Sequence, residues 1–392
     1  MSVPMDWLRN LAHVSRAERL VEQADAEGAE YAPRLLECPA RTWRRMMRSD
    51  PHYRSYGTLK FLIDAAVARF HTEPTMMHEI LAAVLDFVDE TSAPSHIHHV
   101  ALRALAWKEY SNACEAVGDL RTALSAAEHS VTIYAQEPSL QFFQAQARLA
   151  VCKVLRELGE TDQAMKIVRE CAEVFEEFGD ITYKNMARIF EATILFGAKR
   201  FHEALAIFMA ASEEAEAAGD RLTLAKCLQC AAQCARSLGD LESALDLFPR
   251  AMKLYEELNI LTDANTARWG YALSLAQGGT VPFRNSISEL FKVRAIFLGL
   301  GMNSRAACAA LDIVRLRFDH GEDVRELCAE IIQVLTTAGL TQNAIEALAY
   351  LREQAKQRNL SPTKISRVRT FFDQLEKRPA LLFARPNEEE EG

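Results

Sequence analysis

An all-α fold, a solenoid of stacked helical hairpins, is predicted by three observations. The alanines Ala123, Ala164, Ala204 and Ala244 recur at spacings of 41, 40 and 40 residues, each between two stretches of helical apolar periodicity. A turn of Gly followed by Asp or Glu stands before three of the four, at Gly118-Asp119, Gly159-Glu160 and Gly239-Asp240. Gly tolerates the left-handed conformation that ends one helix, and Asp can cap the next. The third observation is composition: alanine is abundant and β-branched residues are never clustered, which favours helix throughout.

Taken in chain order, residues 1–95 predict a helical region without the repeat signature, its short helices punctuated by Pro39, Asp50-Pro51 and Pro94. Residues 96–357 predict the solenoid. Its first helices place small residues at one slot, Ser111, Cys152, Ala192 and Ala232. Its second helices place Ala127, Val168, Phe208 and Phe248 four residues after the marker alanine, then Ser130, Cys171, Ala211 and Ala251 three further on. Small residues let two helix backbones approach, and the larger residue fills the space beside them. The Gly-Asp pairs at Gly179-Asp180 and Gly219-Asp220 mark the junctions between hairpins. Around Gly278-Gly279 and His320-Gly321 the hairpin pattern continues with less of the consensus. Residues 358–380, opened by Ser361-Pro362, predict a C-terminal helix that caps the stack. Residues 381–392, with Glu388–Glu391, predict a disordered acidic tail.

With 49% hydrophobic residues the chain has ample material for one long core or two compact ones. Four of the negative charges behind the net −9 sit together at Glu388–Glu391, and no basic stripe suits a phosphate backbone, so a direct nucleic-acid partner is not expected. The N-terminal residues lack a signal-peptide pattern, and no apolar run is long enough to span a membrane. Nine scattered cysteines read as reduced thiols, so a cytoplasmic protein is expected.

These hairpins resemble the tetratricopeptide repeat. Trp107, Ser111, Gly118 and Ala123 follow its pattern in the first clear unit, and Ala232, Gly239, Ala244, Phe248 and Ala251 follow it in the fourth. The units are longer than the usual period of about 34 residues, and the Pro that commonly ends a unit is missing from most. In both respects they are similar to the long-helix variety of bacterial regulators and sensor modules. The stretch Phe297–Ile313 is similar to stand-alone bacterial tetratricopeptide proteins. The resemblance implies a right-handed superhelix that binds a protein or peptide in its inner groove, lined by the first helix of every hairpin.

Helical spacing predicts which residues face that groove: Lys108, Asn112 and Glu115 in the first unit; Gln146, Lys153 and Arg156 in the second; Met186, Ile189 and Thr193 in the third; Lys226, Gln229, Gln233 and Arg236 in the fourth; and then Trp269, Leu273, Arg315 and Phe318. A groove rich in Lys, Arg, Asn and Gln suits an acidic or carboxylate-bearing peptide whose backbone is held by amide side chains. Lys108 and Asn112 also resemble the opening of the carboxylate clamp of chaperone-binding tetratricopeptide domains. The third unit supplies mainly apolar groove residues and leaves that pattern incomplete.

An enzyme is not expected. Cys227, Cys230 and Cys234 share one side of a helix, a spacing at which thiolates hold zinc, yet no second ligand cluster is visible and cysteine is also a common packing residue. His96 and His99 read as a polar helix start. Neither His78-Glu79 nor His202-Glu203 has a second His four residues on, and no phosphate loop or nucleophile elbow occurs. No metal or cofactor is called for. Two functions remain: a scaffold that binds a protein or peptide, and the ligand-sensing module of a bacterial signalling or transcription-regulation system. The second would be marked by a DNA-binding helix-turn-helix within residues 1–95. Only the short basic patch Arg41–Arg48 stands there.

Overall fold

A computed structural model describes residues 5–70, 73–279, 283–337, 341–377 and 381–385, with the backbone alone for 5–18 and 376–377. Among these residues there are eighteen α-helices and no strand, so the all-α expectation holds. No described helix is long and apolar enough to cross a membrane. The chain forms two compact units, Met1–Ile194 and Leu195–Gly392.

The first unit contains α1 (Met5–Leu36), α2 (Ala40–Ser49), α3 (Tyr56–Val67), α4 (Pro74–Leu85), α5 (His96–Ala116), α6 (Leu120–Tyr134), α7 (Gln141–Leu158), α8 (Thr161–Glu177) and most of α9 (Ile181–Gly197). The expectation of short helices over residues 1–95 fails for α1, which runs for 32 residues and carries Pro33 in its last turn. Pro39 stands at the N-cap of α2, and Pro51 opens a short 3-10 turn. α1, α3 and α4 bury a core of their own around Leu35, Leu59, Leu62, Ile63 and Leu81. The second unit contains α10 (Phe201–Ala218), α11 (Arg221–Leu238), α12 (Leu241–Glu257), α13 (Leu261–Gly278), α14 (Phe283–Gly299), α15 (Asn303–Asp319), α16 (Arg325–Thr337), α17 (Gln342–Lys356) and α18 (Pro362–Lys377).

The helices α5 and α6, α7 and α8, α11 and α12, and α14 and α15 pack as hairpins, and the repeat positions do what their side chains predict. The four marker alanines are fully buried, as are Ala127, Val168, Phe208 and Phe248 at 1% exposure or less. The small polar residues have a further role. Ser111 Oγ donates to the Ala123 carbonyl at 2.7 Å, and Cys152 Sγ, at the same repeat position, lies 3.6 Å from the Ala164 carbonyl. Ser130 Oγ donates to Ala104 O at 2.6 Å, and Cys171 Sγ lies 3.4 Å from Ala145 O. A small donor at the crossing therefore ties two helices together where no longer side chain would fit.

The Gly-Asp turns match the sequence, whereas Glu160 stands at the N-cap of α8 without a side-chain cap hydrogen bond. Gly118, Gly159 and Gly239 adopt φ of 84°, 83° and 81°, and in the third hairpin Lys199 takes the same left-handed place at 61°. Asp119, Asp220 and Asp240 cap α6, α11 and α12 by accepting from the backbone N–H groups of Thr122, Thr223 and Ser243 at 3.0 to 3.1 Å. Hydrogen bonds from the side chains and backbone of those same residues hold all three carboxyls below their ordinary range. A lowered folded value means that the cap stabilises above the unfolded value of 3.8 and is lost as pH falls through the lower folded one. Asp220→Ala is accordingly expected to cost about 1 kcal/mol at neutral pH. In thermal melts this deficit should shrink well below pH 3.8; a deficit independent of pH would show that the carboxylate is not the cap.

The C-terminal helix does more than cover the last hairpin. α18 packs chiefly along α15. As a result α15 is enclosed around most of its circumference, with Ala306–Leu311, Ile313 and Val314 all at 3% exposure or less. The tail expected to start at 381 is packed at its beginning. Phe383 meets Tyr350 and Phe371 at ring-centroid distances of 5.6 and 5.2 Å, and Asn343 Nδ2 donates to the Leu381 carbonyl at 3.2 Å. Leu381 and Phe383 supply the apolar anchor that the acidic composition obscured. Residues 386–392, including Glu388–Glu391, lie outside the described residues.

Candidate binding face

Turn and crossing geometry fix the rotation of each first helix, and so decide which side chains stand clear of the hairpin core. In the first unit these residues pair with one another. Lys108 Nζ lies 2.8 Å from Glu109 Oε1, and Asn112 Nδ2 donates to Glu109 Oε2 at 2.8 Å. Lys153 Nζ sits 2.6 Å from Glu115 Oε2, off the direction a hydrogen bond needs, and 5.0 Å from the centre of the Phe70 ring. Arg156 donates to Glu157 Oε1 at 2.7 Å and to Thr193 Oγ1 at 3.5 Å, with its guanidinium 5.3 Å from the Phe190 ring centre. Lys108, Lys153 and Arg156 thus meet Glu109, Glu115 and Glu157, three cations against three carboxylates. The expected basic groove is electrically neutral on α5 and α7. The clamp-like pair Lys108 and Asn112 is occupied by Glu109, which is itself 8% exposed.

In the second unit the predicted residues separate into two groups. Trp269 and Arg315 belong to the seam between α13, α15 and α18. Trp269 Nε1 donates to Asp312 Oδ2 at 2.8 Å, Arg369 Nε donates to Asp312 Oδ1 at 3.1 Å, and the Arg369 guanidinium lies 5.1 Å from the Trp269 ring centre. Arg315 donates to Asp319 Oδ2 at 2.6 Å, and to the Pro362 carbonyl and Ser366 Oγ of α18 at 3.2 and 3.3 Å. These two side chains help to hold α18 in place, so much of their hydrogen-bonding capacity is used within the chain. Burial raises the Asp312 carboxyl above its usual range, opposed by Arg369 and the Trp269 indole.

Lys226, Gln229, Gln233 and Arg236 form the other group, along one face of α11. Lys226 is exposed and the other three are half-buried. Among the described residues, the Lys226, Gln229 and Gln233 side chains make no hydrogen bond or ion pair. Arg236 Nε is buried and has no hydrogen-bond partner.

Sequence reasoning missed Glu109, Glu157, Asp312 and Arg369. Glu109 and Glu157 directly follow the cations they neutralise, so reading each groove residue with its next neighbour would have found them. Asp312 carried a signal of its own, as the sole charged residue in the small and apolar run Ala306–Val314. Its partner Arg369 is 57 residues away, and nothing local joins them.

The other candidate chemistry resolves into packing. Cys227 and Cys234 are buried and Cys230 half-buried; all three are free thiols. Burial pushes them up to about 12, 12 and 11, respectively, which keeps them protonated and poor as ligands or nucleophiles. No group of three or more potential metal ligands occurs among the described residues. His99 Nε2 lies 3.2 Å from the Val88 carbonyl, and His98 Nδ1 lies 2.7 Å from Ser95 Oγ at the helix start.

Comparison with known proteins agrees with this architecture. The family model described as Tetratricopeptide repeat matches residues 185–257. None of the curated proteins compared matches the chain. Among solved structures, the apo form of the quorum sensor NprR from B. thuringiensis is similar at 12% identity and a TM-score of 0.58, covering 90% of this chain and 99% of that one. Aspartyl phosphate phosphatase F from Bacillus subtilis is similar at 15% identity and a TM-score of 0.52, covering 93% and 97%. A Rap protein complexed with Competence and Sporulation Factor is similar at 12% identity and a TM-score of 0.53, covering 90% and 99%. Identities this low establish likeness of fold. With its repeat register and left-handed turns, the chain has the fold of a tetratricopeptide-type helical solenoid, and residues 185–257 match the repeat itself.

Proposed function

We propose that this protein is a binding module and not an enzyme, and that it holds a peptide or protein segment against α11 through Lys226, Gln229, Gln233 and Arg236. One observation carries the reading: the hydrogen-bonding capacity of this face is unused within the chain, whereas the corresponding cations of α5 and α7 are neutralised by their own glutamates. Amide side chains spaced along a helix suit an extended backbone, which presents N–H and C=O groups in alternation. The structural likeness to a quorum sensor and to a Rap protein bound to a factor supports a ligand-holding role. It also supports the narrower reading, in which this chain is the sensing module of a bacterial cytosolic signalling system.

The test is partner capture by the parent chain and by the triple variant Lys226→Ala, Gln229→Ala, Gln233→Ala. These side chains make no hydrogen bond or ion pair among the described residues, so melting should change little. Loss of two or three hydrogen bonds at about 0.5–1.5 kcal/mol each should weaken partner binding about tenfold or more. Equal capture of the same partners by both chains would refute the α11 assignment.

A further inference from the structure

The α11 face ends on a cluster whose charges do not balance. Asp312, on α15, meets α13 and α18, and both of its oxygens are engaged, one by Arg369 Nε and one by Trp269 Nε1. Arg369 also reaches the exposed Asp373 at 3.4 Å, on its own helix. Arg236 feels Asp312 but makes no hydrogen bond to it, and its Nε is shielded from solvent without an acceptor. Two guanidinium groups therefore share one inward carboxylate, and the half-buried Arg236 side chain makes no hydrogen bond among the described residues.

We propose that Arg236 receives a carboxylate of the bound segment, so that the ligand is a peptide with a free C-terminus or an acidic side chain at that end. The proposal rests on the binding reading above and names the chemistry it selects. Burial lowers the pKa of the Arg236 guanidinium and Arg369 adds to the effect, with Asp312 opposing; an incoming carboxylate replaces the solvation that has been lost. Its partial burial makes a charge pair there stronger than one at exposed Lys226, because local water screens the latter. Ten residues separate the two cations, about 15 Å along the helix at 1.5 Å per residue. Gln229 and Gln233 stand between them, and this spacing suits a short extended segment gripped at its backbone and anchored at the Arg236 end.

The chain's own α18 does not supply the missing acceptor by moving. Ile365, Val368, Phe371, Phe372 and Leu375 are all at 6% exposure or less, so withdrawing α18 would expose five large apolar side chains at once. α18 is a fixed wall beside the site and not a removable lid.

The test uses fluorescein-labelled random hexapeptide pools of four kinds, measured by anisotropy against the full chain. The pools have either a C-terminal carboxylate or a C-terminal amide, combined with either Asp and Glu or Asn and Gln at the variable acidic positions. The expected result is that pools with a carboxylate bind at least tenfold tighter than the fully neutral pool. Arg236→Gln should abolish that preference, and Arg236→Lys should keep part of it. The pool that retains the advantage tells whether the C-terminus or a side chain supplies the group. Lys226→Gln, at an exposed position, should weaken all pools alike and leave the carboxylate preference in place. If Arg236→Gln impairs folding, the comparison of pools on the parent chain still decides. Acidic and neutral pools binding the parent equally would overturn the carboxylate inference while leaving the binding reading intact. Binding by none of the four pools would overturn both.

Discussion

Asp312→Ala is expected to destabilise the second unit by about 3 kcal/mol, the lower end of the range for removing one partner of a buried ion pair. The lower end applies because the Asp312 side chain keeps 15% exposure and that of Arg369 28%, so water screens part of the interaction. Three donors depend on this carboxylate in different ways. Trp269 Nε1 and Arg369 Nε lose their acceptor, and Arg236 loses the one nearby charge that offsets its burial. A deficit of this size in a unit of about 200 residues corresponds to a fall of about 6–12 °C in melting temperature. Asp312→Asn keeps an oxygen and removes the charge, so it should lie between the parent and the alanine variant. Changing Asp312→Ala and Arg369→Met together should recover part of the loss, because the apolar pair leaves no stranded guanidinium on α18. Trp269 is the one tryptophan of the second unit, and with Trp7, Trp43 and Trp107 replaced by Phe its emission follows this transition directly. A melt within 2 °C of the parent for Asp312→Ala would mean that the α13–α15–α18 seam is not held as described.

That cluster also shows why the fold was legible in the sequence and much of the site was not. The hairpins depend on local rules. A Gly or its substitute Lys199 closes the turn, an Asp caps the next helix, and a small residue one turn away permits the crossing, all within about 40 residues of chain. Such rules repeat, and repetition exposes them. The groove assignment used the same helical spacing, and placed Lys226, Gln229 and Gln233 on a face where they are exposed or half-buried. It had no means of telling which of those side chains the protein itself occupies. Lys108, Lys153 and Arg156 are neutralised by carboxylates whose reach depends on rotamers. Trp269 and Arg315 are taken up by a helix more than 40 residues further along the chain. The return of α18 onto α15 is a tertiary event, driven by apolar burial at Ile365, Val368 and Phe372 that any amphipathic helix would show. The pattern of α18 announced an amphipathic helix; its destination was written only in the packing.

Gly57→Ala should be the most damaging small substitution in the first unit, with an expected loss of about 3 kcal/mol or more. In a helix interior Gly to Ala ordinarily stabilises by about 0.5–1 kcal/mol, so the expected sign is reversed. The reason is the crossing of α1 and α3. A Cβ on Gly57 would lie 1.6 Å from the Ala24 carbonyl oxygen, and one on Gly28 would lie 2.3 Å from the Gly57 carbonyl oxygen. Both obstacles are backbone, so no side-chain rotation relieves them. The helices must separate, and with them the surrounding core at Leu35, Leu59, Leu62 and Ile63, each at 1% exposure or less. Overpacking of a rigid crossing costs about 1–3 kcal/mol when neighbours can adjust and more when they cannot. Gly270→Ala is the softer case, since its Cβ would meet the Phe248 ring at 2.3 Å, and a ring can tilt where a carbonyl in a helix cannot. Gly197→Ala is the control: nothing lies within 4 Å of its Cβ and its φ is ordinary, so it should be neutral or slightly stabilising. Thermal melts of the three variants should therefore rank Gly57→Ala lowest, Gly270→Ala between, and Gly197→Ala at or above the parent. Gly57→Ala melting at the parent temperature would contradict the backbone contact between α1 and α3, and with it the reason that a chain otherwise rich in alanine keeps glycine at both positions of that crossing.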